Sequence, residues 1–322
     1  MKKTVLITGG AGYLGSVLTG VFLNLGYEVT VVDNFLFGAS PILNYLNRSN
    51  FSYEKADITD AKTLIRVMKK YNTVCHLAAL VGEPACTDKK ETLKINYLAT
   101  KNLLKLAEEN GVDRFIFASS CSNYGIMDTR QEAEEDFPLN PISVYAESKV
   151  LSENVIIKFR SKKLTTTILR FGTMYGISPR MRFNLLVNFL VREAFYQREV
   201  EIVNPQVWRP YISVADATRV IVSISGANKE KVGGEIFNIV GENLTKLELV
   251  RKIQKEFPKF KPKFVQTNKV DQRDYRVSAH KFQTILNFKY KDKISDTIPK
   301  IAEALKDDLF DDPYAKKYNA WK

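Results

Sequence analysis

The sequence has no apolar run long enough to span a bilayer; its longest, such as TVLIT after Lys3 and TTTILRFG from Thr165, are strand-length. The opening MKKTVLITGG sets two lysines before apolar residues, as an export leader does, but the run meets glycines within a few residues and no cleavage-like site follows. A cytoplasmic protein with no membrane partner is expected. Cysteine is scarce. Cys75, Cys86 and Cys121 are odd in number and lack metal-ligand spacing, so reduced thiols and no metal site are the expectation. Histidine is scarcer still, with only His76 and His280 available as neutral-pH proton carriers. The sequence shows no internal repeat and no low-complexity linker. The net charge of +12 comes without a basic helix or an aromatic platform. Apart from a mild cluster in KEFPKFKPKF the lysines are scattered, so the excess reads as a solvated surface that also attracts anionic ligands; nucleic acid is not an expected partner.

What is present is a β-α rhythm. A chain of 322 residues suits two domains. TVLITG, YEVTVVD, FSYEKAD, TVCHLAA, RFIFASS and TTTILRFG read as strands, and the stretches between them as helices on a parallel sheet. LGSVLTGVFLNLG closes on Gly26, ITDAKTLIRVMKKY opens with a capping threonine or aspartate, and the amphipathic NYLATKNLLKLAEENG closes on Gly111. Beyond about residue 176 the rhythm breaks into FNLLVNFLVREAFYQ and EVEIVNPQVWRPYISVADATRVIVSI. It returns briefly in GEIFNIVG, and TKLELVRKIQKEF, KFVQT and KISDTIPKIAEALKDD follow. The expected division is a first domain over 1–175, re-entered near 210–242, and a smaller α/β substrate domain over 176–209 and 243–322.

Gly9, Gly12 and Gly15 fit G-x-x-G-x-x-G at a strand-to-helix corner. The first permits a tight turn, the second a close approach of a pyrophosphate, and the third close packing of helix on strand, with the phosphates on the helix N-terminus. Asp33 ends the next strand, where a carboxylate accepts hydrogen bonds from both ribose hydroxyls and repels a 2′-phosphate. NAD is therefore expected, on an α/β fold with a Rossmann-type doubly wound parallel sheet. Asp57 ends the third strand and either meets the adenine or caps the following helix.

Tyr145 and Lys149 in YAESK stand at i and i+4, one turn apart on one helical face. A nearby ammonium stabilises a phenolate and draws a tyrosine down from about 10 toward the range of a general base. Alone, the pair also describes any surface tyrosine and lysine. Ser120 in FASSCSNYG ends the strand upstream, facing the ligand crevice, where a serine holds a substrate oxygen or merely forms a turn.

The ordered set TGGAGYLG, VVDN, ADITD, HLAA, INYLAT, FASSCSNYG, YAESK, LRFGTMYG and RPYISVADA runs over essentially the whole chain. It resembles the extended short-chain dehydrogenases/reductases, and among them the NAD-dependent nucleotide-sugar epimerases and dehydratases. The resemblance implies NAD as cofactor and a nucleotide-diphosphate sugar as substrate. Tyr145 would be the base, Lys149 would tune it and bind the nicotinamide ribose, and Ser120 would hold the reacting hydroxyl. Gly9, Gly12, Tyr13 and Leu14 would contact the pyrophosphate, Asp33 and Asn34 the adenosine ribose, and Asp57 and Ile58 the adenine. Leu77, Ala78, Ala79 and Asn96 would line the cofactor cleft. Ser122, Thr173 (where many relatives place an asparagine) and Asn184 would border the substrate. Arg209 in WRPYI and Arg273 in QRDY match arginines that clamp the diphosphate, a task suited to a guanidinium fork. The resemblance also implies a homodimer built on the helix after Asn96 and the helix carrying Lys149.

The same resemblance narrows the reaction. Its 4,6-dehydratases carry an acidic residue at the position of Ser122, which disfavours dehydration here. Its C3 and C5 epimerases pair a cysteine near Cys121 with a histidine or lysine, whereas YGISPRMRFN offers arginines, which stay protonated. Cys121 thus reads as a small packed residue. Chemistry at C4 alone remains, and a 4-epimerase is the first expectation. YGISPRMRFNLLVN and QRDYRVS also resemble a branch that includes GDP-heptose C4 dehydrogenases, so net oxidation or ketoreduction at C4 is the alternative. A non-catalytic NAD-binding sensor, a different class, has no use for Tyr145, Lys149 and Ser120 together. Arg180 and Arg182 either bind an acidic group or lie exposed in a loop.

Overall fold

The six strand-like stretches form β1 (Thr4–Thr8), β2 (Glu28–Asp33), β3 (Phe51–Lys55), β4 (Thr73–His76), β5 (Arg114–Ser120) and β6 (Thr165–Phe171). The structure, a computed structural model, describes residues 3–69, 71–159, 161, 163–267 and 272–320. Later in the chain come β7 (Thr173–Tyr175), β8 (Glu201–Val203), β9 (Trp208–Ser213), β10 (Glu235–Ile239), β11 (Glu242–Thr245) and β12 (Lys263–Val265). Seven of these form one sheet in the order β10-β6-β5-β4-β1-β2-β3, with every pair parallel. Its central strands are apolar without alternation because both faces are covered: Val5, Leu6 and Ile7 are all fully buried. Val5, Ile7, Val29 and Val31 share one core with the helix after β1, while Leu6, Val32, Val74 and Phe117 share another on the opposite face.

The helices are α1 (Tyr13–Asn24), α2 (Ala61–Val67), α3 (Lys89–Leu93), α4 (Ala99–Glu109), α5 (Val144–Lys158), α6 (Leu186–Phe195), α7 (Val214–Gly226), α8 (Lys229–Val232), α9 (Lys246–Glu256), α10 (His280–Leu286) and α11 (Ile294–Lys306). In α1, Leu14, Leu18 and Phe22 fall on one face and are buried, the spacing expected of a helix lying on a sheet. The cap of α2 is Asp60, whose carboxylate accepts the N–H groups of Lys62 and Thr63. NYLATKNLLKLAEENG does not fold as one regular helix. A π-helical turn, Lys94–Leu98, separates α3 from α4.

Order along the sheet reverses at β1. The chain winds outward through β2 and β3, then crosses back to β4 beside β1. A crevice opens outside the carboxyl ends of strands at such a reversal, and Gly9 and Leu77 leave β1 and β4 there. Over the crevice stand a sheet of β11-β9-β7, a β12-β8 pair, and α6, α9 and α11. The core of this upper part is continuous with that under α1: Leu190, Leu249, Ile253 and Ile301 belong to the same buried cluster as Val5 and Ile7. Among the described residues no helix is long and apolar enough to cross a membrane.

Candidate functional site

One cleft of about 640 Å³ runs from the ends of β2 and β3, past the glycine turn, to α5, β9 and residues 273–275. The volume lies near the middle of the range of ligand sites, about 300–1,000 Å³. The glycines earn their place by close approach. At Gly9 φ is +75° and a Cβ would stand 2.8 Å from the Ala78 nitrogen; on Gly15 a Cβ would stand 2.0 Å from the Gly9 carbonyl oxygen. On Gly12 it would meet only the Gly9 carbonyl, at 3.1 Å, so the N-terminus of α1 keeps an uncovered approach.

Asp33 accepts the Ala11 N–H at 3.0 Å and the Phe35 N–H at 2.8 Å, one on each oxygen. Burial nevertheless pushes its carboxyl above the usual range, the mark of a carboxylate whose remaining acceptors want donors such as ribose hydroxyls. Asp57, despite the upward push of partial burial, is held below that range by the Thr59 N–H and hydroxyl and by Asn34. Asn34, Ile58, Tyr13, Leu14, Leu77, Ala78 and Ala79 line the same end. This glycine cradle and paired carboxylate suit the adenosine and pyrophosphate of a dinucleotide.

Asn96 does not line the cleft. It is buried behind it, its amide accepting from Leu80 N at 2.8 Å and donating to Leu80 O at 3.0 Å and Ser148 Oγ at 3.0 Å. The π turn aims the amide inward, so Asn96 fixes the loop after β4 instead of touching a ligand.

At the other end, Ser143 caps α5 by accepting the Ala146 N–H. Tyr145 and Lys149 follow on one face and open into the cleft with Ser120 and Ser122. Lys149 is 3% exposed; it donates to the Ala118 carbonyl at 2.8 Å and stands 5.9 Å from the centre of the Tyr145 ring. Burial pulls its pKa down to about 8. The Ser120 and Ser122 hydroxyls are 2.8 Å apart. Behind them Glu153, a further turn along α5, pairs with Arg170 at 2.7 Å and accepts from Asn123 at 2.8 Å and from Ser119, a buried network that fixes the end of β5.

Cys121 faces away from the cleft, fully buried, its thiol directed at the Arg170 carbonyl at 3.2 Å. Burial pushes that thiol well above its ordinary range. His76 is also out of play: held between the Thr8 and Thr100 hydroxyls at 2.7 and 2.8 Å, it is driven down to about 3 by burial and by the charge of Lys149.

Thr173, Asn184, Arg209 and Arg273 all border the cleft. Arg209 donates to the carbonyls of Trp208 (2.8 Å) and Arg273, so two arginines far apart in sequence meet at one end. Arg180 and Arg182 are not exposed. Both line the cleft, Arg180 is 5% exposed, and burial lowers both, with the Tyr13 and Tyr145 phenols opposing the effect at Arg182. Lys246 and Ala320 also line the wall, and no sequence motif announced them; Tyr275, the tyrosine of QRDY, lines it too.

Over residues 5–240 the sequence matches the NAD dependent epimerase/dehydratase family. UDP-N-acetyl-alpha-D-glucosaminuronate decarboxylase of Bacillus cytotoxicus is 31% identical over 253 residues, covering 76% of this chain and 76% of that protein. UDP-glucose 4-epimerase of Bacillus subtilis is 27% identical over 277 residues, covering 78% and 81%. Among solved structures, UDP-glucose 4-epimerase of Thermotoga maritima with UDP-glucose superposes with a TM-score of 0.84 at 25% identity, covering 95% of this chain and all of that one.

Proposed function

The chain belongs to the NAD dependent epimerase/dehydratase family, and on that premise we propose that it is a nucleotide-sugar 4-epimerase. The supporting observation is the composition of the cleft. Its carboxylates among the described residues are Asp33 and Asp57, both at the ends of β2 and β3, and it contains neither histidine nor cysteine. Beside α5 the proton-handling set is Tyr145, Lys149 and Ser120. That set suffices to take a hydroxyl proton and return it, while the other lysine of the cleft wall, Lys246, donates to the Val203 carbonyl at 2.8 Å. Bound NAD supplies the oxidising power at the sugar carbinol.

Ser120 orients the C4 hydroxyl, and Tyr145 takes its proton. The buried ammonium of Lys149 supports the phenolate and, with the Ala118 carbonyl, fixes its own position. Arg209 and Arg273 hold the diphosphate, so the 4-keto sugar can turn about that anchor and present its other face while Tyr145 gives the proton back. In this reading residues 1–175, with the return near 210–242, carry the cofactor, and 176–209 with 243–322 carry the sugar nucleotide. Leu98 and Ile157, each 47% exposed, support a homodimer on the helices that hold them; light scattering at the monomer mass would refute it.

Arg182 favours a sugar bearing an acidic group. Its Nε donates to Asn184 Oδ1 at 3.2 Å, and among the described residues no carboxylate pairs with it. The test is incubation with neutral and uronic UDP-, GDP-, dTDP- and CDP-sugars, with products read by NMR. The C4 epimer forming without added acceptor supports the proposal. Accumulation of a keto sugar with reduced cofactor would replace it with a C4 dehydrogenase, and release of carbon dioxide from a uronic substrate with a decarboxylase.

A further inference from the structure

Above the glycine turn, the loop between β7 and α6 is fastened to α1. Ser178 Oγ donates to the Tyr13 carbonyl at 2.7 Å and lies 3.1 Å from Ser16 Oγ, while Tyr13 donates its hydroxyl to the Gly176 carbonyl at 2.6 Å. Two residues on, Arg180 reaches back across the adenosine end of the cleft. Its guanidinium lies 4.2 Å from the centre of the Phe37 ring, on the loop that follows Asp33, and donates to the carbonyls of Met181 (2.8 Å) and Asn319. Asp33 is close enough to favour its charged form, and Arg182 close enough to oppose it.

Arg180 is thus a buried cation held between the cofactor loop and the C-terminal tail, with no carboxylate pair among the described residues. Such a cation is costly unless an anion joins it. The tail is itself tied down. Phe183 N donates to the Tyr318 carbonyl at 3.0 Å, Phe183 packs edge-on to Phe310 at 5.0 Å, and Arg192 donates to the Pro313 carbonyl at 2.9 Å. Ala320, at the end of the described tail, is a wall of the cleft.

We propose that Arg180 is a cofactor-retaining residue: stacked on Phe37 and anchored by the tail carbonyl of Asn319, its fork closes over the dinucleotide pyrophosphate on the adenosine side. The inference rests on NAD as the family's cofactor and on no particular sugar chemistry. A planar fork can keep its carbonyl anchors and still direct N–H groups at a phosphate, which an ammonium on a flexible stem cannot do in the same plane.

The experiment measures release of 1,N6-etheno-NAD from the full chain on chasing with NAD. Wild type, Arg180→Met and Arg180→Lys are compared, together with the dinucleotide content of each after gel filtration. Loss of a charge-assisted contact predicts release about tenfold faster or more for Arg180→Met, with Arg180→Lys in between. A chain ended after Ala315, which removes the Asn319 anchor, shifts in the same direction. If that chain or Arg180→Met fails to melt cooperatively, Phe37→Leu and Arg180→Lys decide, each predicted to release faster than wild type. Release at the wild-type rate from every folded variant overturns the role of Arg180 while leaving NAD binding in place. Failure of the wild type to bind etheno-NAD or NAD overturns the cofactor reading, and this inference with it.

Discussion

In the proposed mechanism Tyr145 and Lys149 carry the chemistry, and each makes a separable prediction. Removing only the phenol oxygen, in Tyr145→Phe, lowers turnover by about 10²–10⁴-fold while NAD titration is unchanged; full turnover in this variant would contradict the assignment of the base. Lys149 is a charge held under strain. Its pKa of about 8 when folded lies below the 10.5 of a free lysine. The folded chain therefore binds fewer protons between those values, and stability rises with pH through that window while the ammonium supporting Tyr145 is lost. Activity is expected to fall as pH rises past about 8. Lys149→Met removes that limb along with most activity, and at pH 7 it melts at a higher temperature because no ammonium remains to bury. An unchanged pH profile, or a lower melting temperature at pH 7, would count against this balance.

The strands and α1 were legible because their pattern is local. Parallel strands covered on both faces read as unbroken apolar runs, and the glycines of β1-α1 announce a corner that tolerates no side chain. Two glycines separate the kinds of constraint. Gly15→Ala drives a methyl into the Gly9 carbonyl at 2.0 Å and is expected to cost about 2–3 kcal/mol, with weakened NAD binding. Gly26→Ala, at φ +80° with nothing within 4 Å, strains only its own backbone and should cost about 1 kcal/mol with NAD binding intact. Urea melts with and without NAD check both, and equal effects would contradict the packing account. Less legible was the π turn, because an inserted residue leaves the amphipathic pattern of NYLATKNLLKLAEENG nearly intact; its outcome, Asn96 bonded to Leu80 instead of lining the cleft, depends on a distant loop. The inward course of Arg180 was equally hidden, since it reaches the tail carbonyl of Asn319, 139 residues further along the chain.

On the scale of the whole molecule, the cleft takes its walls from residue 9 to residue 320. A core shared between the sheet and the helices above it holds those walls in register. The net charge of +12 suits the proposed binding of a dinucleotide and a sugar nucleotide, with Arg180, Arg182, Arg209 and Arg273 in the cleft walls, although most of the excess is scattered lysine. A cleft with one proposed proton-handling set beside α5 should return what it removes to the same carbon. The direct test is a nucleotide sugar deuterated at C4, turned over with no added NAD, with the product examined by NMR. Deuterium retained at C4 of the 4-epimer is the predicted result; deuterium lost to solvent, or carried away in released reduced cofactor, would contradict it.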